Sequence, residues 1–224
     1  MHLPARVATS LVAVAAALTA CSSASGAGAP SGSPSGSVSP SPLGSGFYNS
    51  ASPPPPEGTV TPQPGSWSGT HPPAGYRVVL LTAGDDKPTR TLVDAVHSWA
   101  AETHVRLSTV TAASATQLIP SITKAIELKP DLIISAGSEL VDPLATVTAS
   151  SLHQQFLVIG AELAEPTGNV TAADWKGASF RGEGLGTSSS YDPASFTTER
   201  AGRAVRAGVA AVLNRLTGIV VWIS

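Results

Sequence analysis

From Arg77 onward, short apolar runs of strand length alternate with stretches whose apolar positions recur at helical spacing. Arg77-Val78-Val79-Leu80-Leu81-Thr82 reads as a strand closed by Ala83-Gly84. Leu92, Val93, Val96, Trp99 and Ala100 then predict a helix from about Pro88 to Glu102. A second strand is expected over His104–Val110. Ser114 opens the next helix, with Gln117 placed for a capping box and Leu118, Ile122, Ala125 and Ile126 as its buried face. Lys129-Pro130 is a turn signal, and Asp131-Leu132-Ile133-Ile134-Ser135-Ala136 follows, closed by Gly137-Ser138. A short apolar run closed by Gly is the pattern of a strand buried on both faces, here the expected middle of a parallel sheet. Ser138 is placed to cap a helix reaching about Leu152. Phe156–Gly160 reads as a further strand, Ala178–Arg181 as a short one at an edge, and Ile219–Ile223 as the last. Asp192-Pro193 is a cap and first-turn pair for a helix running to about Leu216, which Gly218 ends.

This alternation predicts an α/β fold: a parallel sheet flanked by helices on both faces and joined by right-handed crossovers. In such sheets ligands sit beyond the carboxyl ends of the strands, where the strand order reverses. The ligand-binding candidates are therefore Gly84, Asp85 and Asp86 after the first strand and Gly137 and Ser138 after the central one. Asp86 and Ser138 are equally well placed as plain helix caps.

Before Tyr76 the pattern changes. Arg6 and the apolar run Val7–Ala17 read as an export signal, too short to span a bilayer. Leu18-Thr19-Ala20-Cys21 resembles the bacterial lipobox, which implies lipidation of Cys21 and a signal peptide over residues 1–20. Acyl chains add about 0.8 kcal/mol of membrane affinity per buried CH₂. Residues 21–75 are mostly Ser, Gly, Pro, Ala and Thr, with Glu57 as the one charged residue. They read as a disordered linker with a reach on the order of 40 Å. In that reading Phe47, Tyr48 and Trp67 are stray aromatics. Residues 76–224 are left as the folded lobe.

Composition narrows the function. The net charge is −2 and no basic run marks a nucleic-acid surface. The single cysteine, Cys21, excludes an internal disulfide and a cysteine metal cluster. His97, His104 and His153 lack ligand spacing, so neither a metal nor a cofactor is expected. Gly182-Glu183-Gly184-Leu185-Gly186 has the wrong spacing for a dinucleotide loop and reads as a flexible one. Neither a nucleophile elbow nor a phosphate-loop motif is present, so the chain is not expected to be an enzyme. Arg200, Arg203 and Arg206 read as a solvated helix face.

Two segments carry a wider resemblance. Pro130–Gly137 with its following helix and strand is similar to the first lobe of type 1 periplasmic binding proteins. Ala178-Ser179-Phe180-Arg181-Gly182-Glu183-Gly184, with Ala201-Gly202, Ala207–Leu213 and Thr217–Val220, is most similar to the basic-membrane-protein family of solute-binding lipoproteins. That family serves ABC transporters and its known ligands are mostly nucleosides. The resemblance implies a single solute-binding lobe, adds Arg181 to the ligand-binding candidates, and implies a transporter permease or a second lobe as partner. The loop Ala83–Arg90 lacks the aromatic that stacks on the base in that family, and Leu185–Phe196 is an insertion. A two-lobed binding protein carries a further lobe after the strand matched by Ile219–Ile223. The expected function is thus a lipid-anchored protein on the extracytoplasmic face of a bacterial membrane, binding a small polar solute. The alternatives are a surface interaction or dimerisation module without a small ligand, and a truncated binding protein.

Overall fold

Residues 41–178 and 190–224 are described by the computed structural model. Its strands are β1 (Thr59–Val60), β2 (Arg77–Ala83), β3 (Arg106–Ala112), β4 (Leu132–Ala136), β5 (Phe156–Ile159), β6 (Val170–Asp174) and β7 (Val220–Trp222). The α-helices are α1 (Lys87–Thr103), α2 (Leu118–Glu127), α3 (Val141–Thr148) and α4 (Thr198–Leu213). All strands pair in parallel, in the order β1-β7-β6-β5-β4-β2-β3. The α/β fold class, with a parallel sheet covered on both faces, is as the sequence pattern predicts.

β4 is central, and all five of its residues are buried. Alternation along the strands sends side chains to two cores. Val78, Leu80, Leu132, Ile134, Leu157 and Ile159 meet α1 and α4 on one face. Val79, Leu81, Ile133, Phe156 and Val158 meet α2 and α3 on the other. Polar pairing fixes the amino end of the sheet, where Arg77 N–H donates to Asp131 Oδ2 at 2.7 Å and Asp131 N–H donates to Arg77 O at 2.9 Å.

Several elements differ from the sequence expectation. The fifth place in the sheet belongs to Val170–Asp174, not to Ala178–Arg181. Val170-Thr171-Ala172-Ala173-Asp174 is short and alanine-rich, so its apolar signal is weak, yet every residue in it is buried. Ala178 instead closes a turn, its N–H donating to Trp175 O, and Arg181 lies outside the described residues. Ser138 does not cap a helix through its side chain: Gly137 precedes a 3₁₀ turn over Ser138–Leu140, and α3 follows. Asp192 caps only the short turn Pro193–Ser195. Helix α4 restarts at Thr197, whose hydroxyl accepts from Arg200 N–H. Gln117 completes half of a box, accepting from Ala113 N–H at 3.3 Å, while the Ser114 side chain makes no cap bond.

The crossovers do not all share one hand. The chain moves toward one edge through α1 and in the opposite direction through α2 and α3, on the opposite face. It moves in that same second direction from β6 to β7, but α4 lies on the α1 face. The β6–α4–β7 crossover therefore has the opposite hand from the others, against a strong general preference.

The larger correction concerns the expected linker. Residues 43–76 form a strap over the α1/α4 face. Phe47 is 1% exposed and Trp67 8%, and both belong to the α1/α4 core, with Leu43, Tyr48 and Tyr76 packed at its margin. β1 adds to the sheet beside β7, held by Glu57 N–H to Gly218 O at 2.7 Å and Val220 N–H to Gly58 O at 3.0 Å. The strap also folds on itself, through Gly44 N–H to Ser66 O and Gln63 N–H to Gly46 O. Low charge and high Pro/Gly content hid this, because a few aromatics here anchor a segment that satisfies its backbone with turns. Under the strap, α4 is buried nearly all round: besides one apolar stripe through Ala201, Ala204, Val205, Gly208, Val209 and Val212, its Gly202, Ala207, Ala210 and Ala211 are buried too.

Candidate functional site

The strand order reverses at β2, whose neighbours are β4 on one side and β3 on the other. The switch point thus opens beyond the carboxyl ends of β2 and β4. The loop after β2 carries Gly84, Asp85 and Asp86, and the loop after β4 carries Gly137 and Ser138. Both reach one crevice, lined by Asp86, Pro88, Thr89, Gly137, Ser138 and Gly160 together with Tyr191 and Phe196.

Each loop residue has a local reason. Gly84 turns the chain with φ +79°, and a Cβ there would meet Glu139 Oε1 at 3.1 Å. Gly137 adopts φ +117°, and a Cβ would come within 2.5 Å of Ala83 O, so only glycine lets the β4 loop lie against the end of β2. Asp86 is the N-cap of α1: Oδ1 accepts from Thr89 N–H at 3.1 Å and Oδ2 from the Thr89 hydroxyl at 2.7 Å. Its cap role is therefore filled, and its carboxylate remains exposed at the rim. Asp85 accepts from Arg90 through its backbone carbonyl. Asp85, Ser138 and Glu139 are exposed, so the edge offers mainly oxygen acceptors and one hydroxyl.

The floor is aromatic. Trp175 donates its indole N–H to Ser195 Oγ at 3.0 Å and meets Phe196 edge-on, with ring centroids 5.0 Å apart. Gly160 gives these rings room: a Cβ would lie 2.9 Å from Phe196 and 3.2 Å from Trp175. Tyr191 packs on Phe196 with centroids 5.9 Å apart and stays 52% exposed. Its hydroxyl is pushed up from the usual tyrosine range, first by partial burial and then by the Asp86 carboxylate. With these rings in place the crevice encloses only about 10 Å³, close to the least volume that holds one water.

The structure brings together Gly84, Asp86, Gly137 and Ser138, with Asp85 adjacent on the same loop. Arg181 and Cys21 lie outside the described residues. Tyr191 and Phe196 were not singled out in the sequence, because they fall within the stretch read as an insertion. Asp174 and Glu162 were also passed over. Both are buried at this end of the sheet, and both are engaged in interactions. The one sequence signal for Asp174 is its place after a strand too weak to recognise. Arg200, Arg203 and Arg206 do not form a solvated face. Arg200 donates to Ser195 O, Arg203 to Glu199 and Ser224 O, and Arg206 to Glu102 and Gly202 O. Among the described residues no three His, Cys, Asp or Glu side chains cluster as a metal site, and no helix is long and apolar enough to cross a membrane.

No family model and no curated relative matches the sequence. Solved structures with a similar fold include a fragment of a candidate lipoprotein from Peptoclostridium difficile 630, at 17% identity and TM-score 0.44. That match covers 61% of this chain and 98% of the fragment. An ABC transporter solute-binding protein from Aeropyrum pernix K1 is similar at 20% identity and TM-score 0.41, over 45% of this chain and 29% of that one. One from Conexibacter woesei DSM 14684 is similar at 15% identity and TM-score 0.37, over 65% and 54%. The chain thus spans between about a third and about a half of the two solute-binding proteins.

Proposed function

We propose that the protein is an extracytoplasmic lipoprotein, anchored through Cys21, whose sheet edge contributes half of a binding site for a small polar solute. The observation that carries this reading is the convergence of the β2 and β4 loops at the switch point. There Asp86 and Ser138 line the crevice beside Tyr191, and Asp85 and Glu139 are exposed on the same two loops. These groups suit a ligand rich in hydroxyl or amine donors. Arg181, outside the described residues, is kept as a ligand-binding candidate on its sequence alone.

The crevice volume sets the mode of binding. About 10 Å³ cannot enclose a solute, since enclosing pockets run from roughly 300 to 1,000 Å³. The solute therefore rests on an open edge and is covered by a second body, a separate lobe or a transporter subunit. The same observation favours a second reading, in which this edge docks a protein with no small ligand at all.

Calorimetric titration of the full chain with nucleosides, sugars and amino acids tests the first reading, alone and with Ser138→Ala or Tyr191→Ala. Saturable binding weakened by either change supports it. Heat-silent titrations together with a sheet-edge-dependent dimer in sedimentation would transfer the edge to the second reading. Incorporation of labelled fatty acid in a bacterial host, lost in Cys21→Ser, tests the anchor independently.

A further inference from the structure

A second cavity lies between the strap and the helices it covers, at the C-terminal end of α1 and so away from the carboxyl ends of the strands. Its volume is about 510 Å³, within the range of small-molecule sites. The walls include Trp67 from the strap, Trp99, Glu102 and Thr103 from the last turns of α1, Arg206 from α4, and His71 at the mouth.

The two tryptophans are the telling feature. Their rings are 8% and 3% exposed, so both are core residues. A buried indole N–H ordinarily finds an acceptor, as Trp175 does in Ser195. Among the described residues neither Trp67 nor Trp99 donates its indole N–H to an acceptor, and neither nitrogen is sealed from solvent. Two donors thus stay open on residues that line one cavity. Acceptors are nearby: Glu102 uses Oε2 for Arg206, and the Thr103 hydroxyl, which donates to Trp99 O, can still accept.

Charge restricts the ligand. Arg206 is committed to Glu102 and to Gly202 O, so its charge is matched. An anion would have to break that pair. A neutral ligand would not. It must accept from indole N–H groups and donate to carboxylate and hydroxyl oxygens. A pyranose ring meets both demands, since each hydroxyl both donates and accepts. We propose that the cavity bounded by Trp67, Trp99, Glu102 and Arg206 is a binding site for an uncharged saccharide. It is separate from the sheet edge and does not depend on the reading given for that edge.

The test uses the full chain with ¹⁵N-labelled indoles and three probes: methyl β-glucoside, cellobiose and N,N′-diacetylchitobiose. Sodium benzoate serves as the anionic control. The expected result is a saturable shift of the Trp67 and Trp99 indole N–H resonances with at least one saccharide and none with benzoate. Trp67→Phe and Trp99→Phe each weaken that binding about fivefold, the loss of one neutral hydrogen bond, while Trp222→Phe leaves it unchanged. If either phenylalanine variant fails to fold, the resonance shifts of the unsubstituted protein decide. No shift with any saccharide, or an equal response to benzoate, would overturn the assignment.

Discussion

Gly208 of α4 lies directly on Leu157 of β5: a Cβ at Gly208 would come within 2.6 Å of Leu157 Cδ1 and 3.2 Å of Ala173 Cβ. The helix can approach the sheet this closely only without a side chain there. Alanine at position 208 gains about 1 kcal/mol in helix propensity but forces overpacking that costs about 1–3 kcal/mol. Gly208→Ala should therefore lower the unfolding free energy read from urea denaturation by a net of about 0–2 kcal/mol, and Gly208→Leu by much more. An unchanged midpoint in both would mean the helix can lift from the sheet at little cost.

The strap predicts a boundary for the folded unit. A chain beginning at residue 76 would lose Phe47, Val60 and Trp67 and uncover α4, whose outer face is made of Ala, Gly and Val. It should melt without a cooperative transition, while residues 41–224 melt with one. Phe47→Ala, in the intact chain, removes a fully buried ring, worth about 3–5 kcal/mol where the site cannot collapse. Detachment of the strap caps that loss, so the clearest readout is faster amide exchange over residues 43–70.

Asp86 should report on stability and binding separately. Asp86→Ala removes the N-cap of α1 and should cost about 1 kcal/mol; Asp86→Asn keeps an acceptor and should cost less. If the edge binds a hydroxylated solute, Asp86→Asn should still weaken binding through loss of the rim charge. Equal stability of Asp86→Ala and the unsubstituted protein in thermal melts would remove the capping role.

Alkaline unfolding should depend on Tyr76. Burial, and secondarily the Asp131 carboxylate, holds its phenol well above the usual tyrosine value, which is about 10. The folded chain thus keeps its proton after the unfolded chain has lost it. That contribution is complete below about pH 10 and declines as pH rises further. Tyr76→Phe should flatten the fall in unfolding free energy between about pH 10 and 12, and parallel slopes for the two proteins would discount Tyr76.

Where the sequence was informative, a strong local pattern agreed with the tertiary setting. Leu132–Ala136 is apolar throughout because it is central, and Asp86-Lys87-Pro88 starts α1 as its cap and first-turn chemistry indicate. Where it was silent, the deciding contacts were long-range. Phe47 and Trp67 look stray in a Ser/Gly/Pro stretch, and only their packing on α4 gives them a role. Val170–Asp174 becomes a strand because β5 and β7 flank it, not through its own β-propensity. At the site, Gly84, Asp86, Gly137 and Ser138 were legible because strand ends are punctuated by glycine. Tyr191 and Phe196 were not, since nothing local announces that a loop will return to fill a crevice.

The pairing of β1 with β7 also bears on how the protein comes into being. Thr59 meets Val220 across almost the whole described chain, and the strap has no surface to rest on before α4 exists. As the chain emerges from the ribosome, its early aromatics must wait for the last helix and strand. Contacts of such long range slow folding, and until they close, Phe47 and Trp67 stay open to chaperones and proteases. The strap is therefore the part of the fold that settles last, once β7 is in place to receive it.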